Sequence, residues 1–236
     1  DDGSSDHTDE VVGEYVKKDS RFKYYHRPDE HLPGGNGARN YGFKMSQGEY
    51  ANFLDSDDKL ANTCLSKRIE FVKKHNFNFH ALISQTLCYT YKKGDSNILW
   101  NKIDSNETHI QSMIRFLNID MPWHTNGVTW DKTFLAQIGA WDENLSAWQD
   151  WELHFRALSY KPNLIYNLGA PDNYFKIGDN HFSISKNHKN IKFINSIEKV
   201  LDNSAKLILQ LNSEDFKVLK PPYDRLVLKM LIKFPM

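Results

Sequence analysis

The stretch Tyr50-Ala51-Asn52-Phe53-Leu54-Asp55-Ser56-Asp57-Asp58 decides how the chain is read. Tyr50 to Leu54 has the aromatic and apolar content of a β-strand. It runs without interruption into three carboxylates, which cannot all be buried unpaired. In an open α/β sheet the loops at the carboxyl ends of strands form the ligand crevice. Clustered carboxylates there suit a hard divalent cation, Mn²⁺ or Mg²⁺, which takes oxygen ligands and shares them with phosphate groups. A solvated acidic turn ahead of a helix is the other reading of the same residues.

On both sides of this stretch, helices and strands alternate. Val11, Val12, Tyr15 and Val16 share one face of a predicted helix that Asp6 or Thr8 would cap. Phe22 to His26 reads as a short strand, and Ala38, Tyr41 and Met45 mark a second helix. Leu60 to Val72 is a predicted helix and Phe79 to Tyr89 a long β-rich stretch. Short strands follow at Val128–Trp130, Leu164–Asn167 and Tyr174–Ile177, with a helix over Asp150–Leu158. This alternation implies an α/β fold with a mixed, mostly parallel sheet covered by helices. From Ile191 to Leu211 apolar residues recur at helical spacing. Pro221-Pro222 is expected to break the chain after it.

Composition narrows the function. Lys plus Arg is 30 and Asp plus Glu is 30. A formally neutral chain lacks the basic surplus that nucleic-acid binding needs. Cys64 and Cys88 form no C-x-x-C pair, so they are expected as core thiols. The histidines show neither H-E-x-x-H nor a close pair. No apolar run approaches the length of a membrane span.

Three further motifs carry chemistry. Asp1-Asp2-Gly3-Ser4-Ser5-Asp6 is turn chemistry before a helix. Gly34-Gly35-Asn36-Gly37-Ala38-Arg39-Asn40 has the glycines of an anion-binding loop and places Arg39 in the first helical turn. It lacks the Gly-Lys-Ser/Thr ending of a P-loop. Gly139-Ala140-Trp141-Asp142-Glu143, followed by Trp148-Gln149-Asp150-Trp151-Glu152-Leu153, alternates carboxylates with flat aromatic faces, a combination suited to a sugar ring.

The order D-D-G-S-S-D, G-x-A-R-N-x-G, G-E-Y-x-x-F-L-D-S-D-D, then G-x-W-D-E-x-L with Q-D-W-E-L and Arg156, resembles the family 2 glycosyltransferases of the Rossmann-like GT-A fold. The resemblance covers Asp1 to about Leu60 and returns from Trp123 to Leu158. It implies that residues 1–186 are a GT-A domain and residues 187–236 a helical C-terminal extension. The family carries a strand, helix and strand before D-D-G-S, so the sequence is expected to lack that first segment, roughly 30 to 40 residues.

The resemblance also implies roles. Asp1 and Asp2 fall at the nucleotide of a nucleoside-diphosphate-sugar donor, with Asp2 at the base. Asp55 faces the ribose. Asp57 holds the metal, with Asp58 as the alternative ligand. Arg39 lies near the donor, Asp150 is the catalytic base, and Trp148 and Trp151 are on the acceptor side. His181 stands where some relatives carry a histidine near the metal. The implied reaction is metal-dependent sugar transfer with inversion, from the donor to a glycan or lipid-linked acceptor, in surface polysaccharide or glycolipid assembly. The implied location is cytoplasmic, with the tail Tyr223 to Phe234 either packed on the domain or lying on the inner membrane surface. A non-catalytic carbohydrate- or nucleotide-binding module and another metal-dependent nucleotidyl-transfer enzyme are the alternatives.

Overall fold

The structure, a computed structural model, describes residues 1–178 and 190–234. In chain order the elements are α1 (Thr8–Lys18), α2 (Gly35–Met45), β1 (Tyr50–Asn52), β2 (Lys59–Leu60), α3 (Cys64–Lys74), β3 (Ala81–Ser84) and β4 (Thr86–Tyr89). They continue with α4 (His109–Leu117), β5 (Val128–Asp131), α5 (Lys132–Gln137), α6 (Gln149–Ser159), β6 (Leu164–Asn167), β7 (Asn173–Lys176), α7 (Ile191–Leu209) and α8 (Ser213–Lys233).

The fold is α/β with mixed sheets flanked by helices. One sheet has the order β1-β5-β3-β6 and a smaller one β2-β7-β4. The pairs β3–β6 and β4–β7 are parallel, whereas β1–β5, β3–β5 and β2–β7 are antiparallel. Strand β3 is central: Ala81, Leu82 and Ile83 are wholly buried. This is the burial expected of a strand covered on both faces.

Local differences from the sequence reading have physical causes. Phe22 to His26 is not a strand in this structure; Arg27 N–H instead bonds the Asp1 carbonyl (2.7 Å). The Phe79–Tyr89 stretch divides at Gln85, and its halves join different sheets. Lys59 and Leu60 are drawn into pairing with β7, so the next helix starts only at Cys64. Pro221 and Pro222 lie inside α8. Proline removes a helical donor, but Leu219, Pro222, Leu226 and Met230 are buried along that helix, and packing overrides the local cost.

The main core gathers Trp130 of β5, Met113 and Phe116 of α4, Trp151, Leu153 and Phe155 of α6, and Phe193, Val200, Leu219 and Leu226 of α7 and α8. The two C-terminal helices therefore share a core with the sheet. Cys64 and Cys88 are buried and free, and burial pushes the Cys64 thiol up to about 11. Among the described residues no helix is long and apolar enough to cross a membrane.

Candidate functional site

The motifs that are distant in sequence meet at one edge of the larger sheet. Helix α2 docks on the turn at Trp141 through its amides. Asn36 Nδ2 donates to the Asp142 carbonyl (2.7 Å). Asn40 Nδ2 donates to the Trp141 carbonyl (2.8 Å), and Asn40 Oδ1 accepts the Trp141 N–H (3.1 Å). Glu143 answers from the turn, accepting Leu32 N–H (2.7 Å) and contacting His31 Nδ1 (2.6 Å). Burial alone would raise the Glu143 carboxyl, but the bonds from His31, Asn40 and Leu32 hold it below the usual range. Gly37 is required for this docking, since a Cβ there would lie 2.0 Å from the Leu32 carbonyl oxygen.

Arg39 is thereby placed at the centre. Its guanidinium stacks over Trp141, 4.7 Å from the ring centroid. Nη2 donates to Asp55 Oδ1 (2.7 Å), and Nη1 reaches Gln149 Oε1 (3.4 Å) at the start of α6. One side chain thus touches the glycine loop, the acidic loop, the tryptophan turn and the helix that carries Asp150. A planar guanidinium can do this, with its several donors and its flat face.

The acidic loop is fixed from beneath. Tyr89 Oη donates to the Asp57 carbonyl (2.6 Å). Asp58 is 8% exposed and accepts Asn126 Nδ2 (2.5 Å) on one oxygen and Lys176 N–H (2.8 Å) on the other. Burial raises its pKa against those two bonds. Asp57 is exposed and Asp55 half-buried. The donor chemistry suits a hard cation shared with phosphates, which needs only one or two carboxylates. Asp57 lies on the exposed side of the loop, whereas Asp58 is buried beneath it with both oxygens engaged. Among the described residues the acids of this loop form no preformed cage. The set whose ligand atoms lie within 4.8 Å of one another is Asp1, Asp9 and His26, on the surface beside α1.

Other candidate residues fall as follows. Asp2 accepts Gly34 N–H (2.7 Å) and pairs with Arg27, so it ties the first turn to the glycine loop. Asp1 accepts the N–H groups of Gly3 and Ser4 (2.9 Å each). Asp150 is half-buried in the first turn of α6 and takes the Trp151 N–H on Oδ1 (2.8 Å). Trp148 precedes the helix with φ 54°, a left-handed conformation that is strained for a tryptophan. Trp151 corrects the acceptor-side expectation. It is 2% exposed, its indole N–H bonds the Phe116 carbonyl (2.9 Å), and its ring stacks on Phe155, so it belongs to the core. His181 lies outside the described residues.

The sequence reading missed His124. This imidazole is 6% exposed, packed against Trp100 and Phe175, and its Nδ1 accepts Asn126 N–H (3.3 Å). Burial lowers its pKa against the pull of Asp150, Asp58, Asp55 and Asp57. It therefore lies within electrostatic reach of both the acidic loop and Asp150. The turn that carries it passes directly over β3, where a Cβ on Gly127 would be 2.5 Å from the Ser84 carbonyl oxygen. The available signal was a polar run, His124-Thr125-Asn126-Gly127, immediately before an apolar strand.

Comparison with known proteins bears on the family and the fold. The family model described as Glycosyl transferase family 2 matches residues 1–130. An uncharacterized glycosyltransferase of Haemophilus influenzae is 40% identical over 76 residues, covering 32% of this chain and 30% of that protein. A GalNAc(5)-diNAcBac-PP-undecaprenol beta-1,3-glucosyltransferase of Campylobacter jejuni is 42% identical over 66 residues, covering 28% of this chain and 21% of that protein. The fold matches S. aureus TarS 1-349 in complex with UDP-GlcNAc, with TM-score 0.67 and 17% identity over 99% of this chain and 61% of that one. It also matches the mannosyltransferase PcManGT from Pyrobaculum calidifontis in complex with GDP-Man and Mn²⁺, with TM-score 0.60 and 14% identity over 100% and 61% of the respective chains. The chain spans less than a third of the length of these two sequence relatives and about three-fifths of the solved chains. With more than half its length matched by the family model and its sheets arranged as in GT-A structures, the chain belongs to glycosyl transferase family 2.

Proposed function

We propose that the protein transfers a sugar from a nucleoside-diphosphate donor to an acceptor hydroxyl, with inversion and with help from a divalent cation, in assembly of a surface polysaccharide or glycolipid. The observation that carries this reading is the Arg39 junction, which joins Asp55, Trp141 and Gln149 across 110 residues of sequence. It ties the acidic loop to the first turn of α6, the turn that also carries Asp150.

In this reading Asp1, Asp2 and Asp55 bind the nucleoside, and Arg39 orients Asp55. Asp57 would hold Mn²⁺ or Mg²⁺, which supplies Lewis-acid stabilisation of the charge that builds on the diphosphate. Asp150 accepts the proton of the acceptor hydroxyl as its oxygen bonds the anomeric carbon. The bond from that carbon to the diphosphate breaks on the opposite face, which inverts the centre. Trp148 offers a half-buried aromatic face to the acceptor. A lipid-linked acceptor is supported by the Campylobacter relative, whose name specifies one. Peripheral membrane contact is supported by exposed Leu228, Leu231 and Ile232 on α8, near Arg225, Lys229 and Lys233.

A thermal-shift screen of UDP-, GDP- and dTDP-sugars, with and without Mn²⁺, tests the donor class. Bound ligand raises the melting temperature by mass action. One nucleotide class stabilising only with Mn²⁺ is the expected result. No stabilisation by any of them would favour a carbohydrate-binding module.

A further inference from the structure

His154 is an anomaly among the described residues. It is 1% exposed, and neither ring nitrogen has a hydrogen-bond partner. Buried polar groups are almost always paired, so an orphan asks for an explanation. Three aromatic rings wall it in. Trp130 is nearly parallel at 5.8 Å between centroids, and Phe116 and Trp123 stand 6.0 Å away. A position that needed only an aromatic filler would be served by phenylalanine without the cost of two unpaired nitrogens.

The surroundings offer one anion. Asp150 precedes His154 by four residues on α6, and side chains at that spacing share a helix face. The charges that act on the imidazole are those of Asp150 and His124. Burial depresses the His154 pKa to about 4. The ring is therefore neutral at neutral pH, with one N–H donor and one lone pair. Trp151 N–H already holds Asp150 Oδ1 from the helix end.

We propose that His154 is a positioning residue for Asp150, its ring N–H supporting that carboxylate from the core side through one bound water. The proposal rests on Asp150 being the base, because only then does its orientation matter to the reaction. His154 itself touches no substrate.

Nuclear magnetic resonance of the ¹³C,¹⁵N-labelled protein tests this without any substrate. The expected result is a slowly exchanging His154 ring N–H signal that moves in Asp150→Ala and stays in place in Asp57→Ala. The Asp150 carboxyl ¹³C signal should move in His154→Phe and return toward its original position in His154→Gln, which restores an N–H donor. A His154 signal unaltered by Asp150→Ala, or a ring proton in fast exchange with water, would overturn the proposal. So would equal effects of the Phe and Gln substitutions on Asp150, since a purely structural role gives no rescue. Failure of the base assignment reads separately, as full sugar transfer by Asp150→Asn with these signals unchanged from expectation.

Discussion

Asp58 and His154 are buried titratable groups with opposite consequences for stability. Asp58 bonds Asn126 and Lys176, and so fastens the acidic loop to β7 and to the His124 turn. Replacing it with alanine leaves those donors unpaired, and the expected loss is about 1–3 kcal/mol by urea unfolding. His154 adds a pH term. Its folded pKa of about 4 lies below the ordinary value of 6.5. As pH falls from 6.5 toward 4, the unfolded chain binds a proton that the folded chain refuses. Stability should then fall at up to about 1.4 kcal/mol per pH unit. Asp58, with its raised pKa, works in the other direction just above pH 3.8. The comparison that isolates the histidine is wild type against His154→Phe, with a shallower acid slope expected in the variant. An identical slope in both would contradict the account.

At the scale of elements, α3 is held by one buried ion pair. Arg68 bonds Asp172 twice, Nε to Oδ2 at 2.9 Å and Nη2 to Oδ1 at 2.7 Å, and also donates to the Asn126 carbonyl (3.0 Å). Arg68 is 2% exposed. Arg68→Met would leave Asp172 buried and uncompensated, and the expected cost is about 3–5 kcal/mol in chemical denaturation. Because the same arginine supports the Asn126 turn, the acidic loop should loosen with it. In α8 the expectation runs the other way. Pro221 is exposed inside the helix, and Pro222 is buried. An interior proline costs roughly 3 kcal/mol relative to alanine, partly offset by the stiffer unfolded chain. Pro221→Ala should raise the unfolding free energy by about 1 kcal/mol or more, and a lowered value would show that α8 depends on the proline.

Across the whole molecule, the sequence revealed most where local chemistry and tertiary role coincide. The strand at Tyr50 followed by carboxylates, the apolar spacing from Ile191 and the glycine loop were legible because each is a short-range pattern. The sheet pairing was not, since among the described residues three of the five strand pairs are antiparallel, and pairing partners leave no trace in periodicity. Trp151 was misplaced because an aromatic beside a carboxylate looks alike in a core and at a sugar site. Burial and the bond to the Phe116 carbonyl decide it. His124 and His154 escaped notice because isolated histidines carry no spacing signal. They matter only through what folding packs beside them.

The central proposal is that donor binding and proton abstraction are divided between Asp57 and Asp150. It is tested most directly by measuring nucleotide-sugar binding with Mn²⁺ and sugar transfer on the same three proteins: wild type, Asp57→Ala and Asp150→Asn. The account predicts that Asp57→Ala loses Mn²⁺-dependent binding, whereas Asp150→Asn binds as wild type does and loses transfer by a factor on the order of 10² or more. Transfer at the wild-type rate by Asp150→Asn would contradict it.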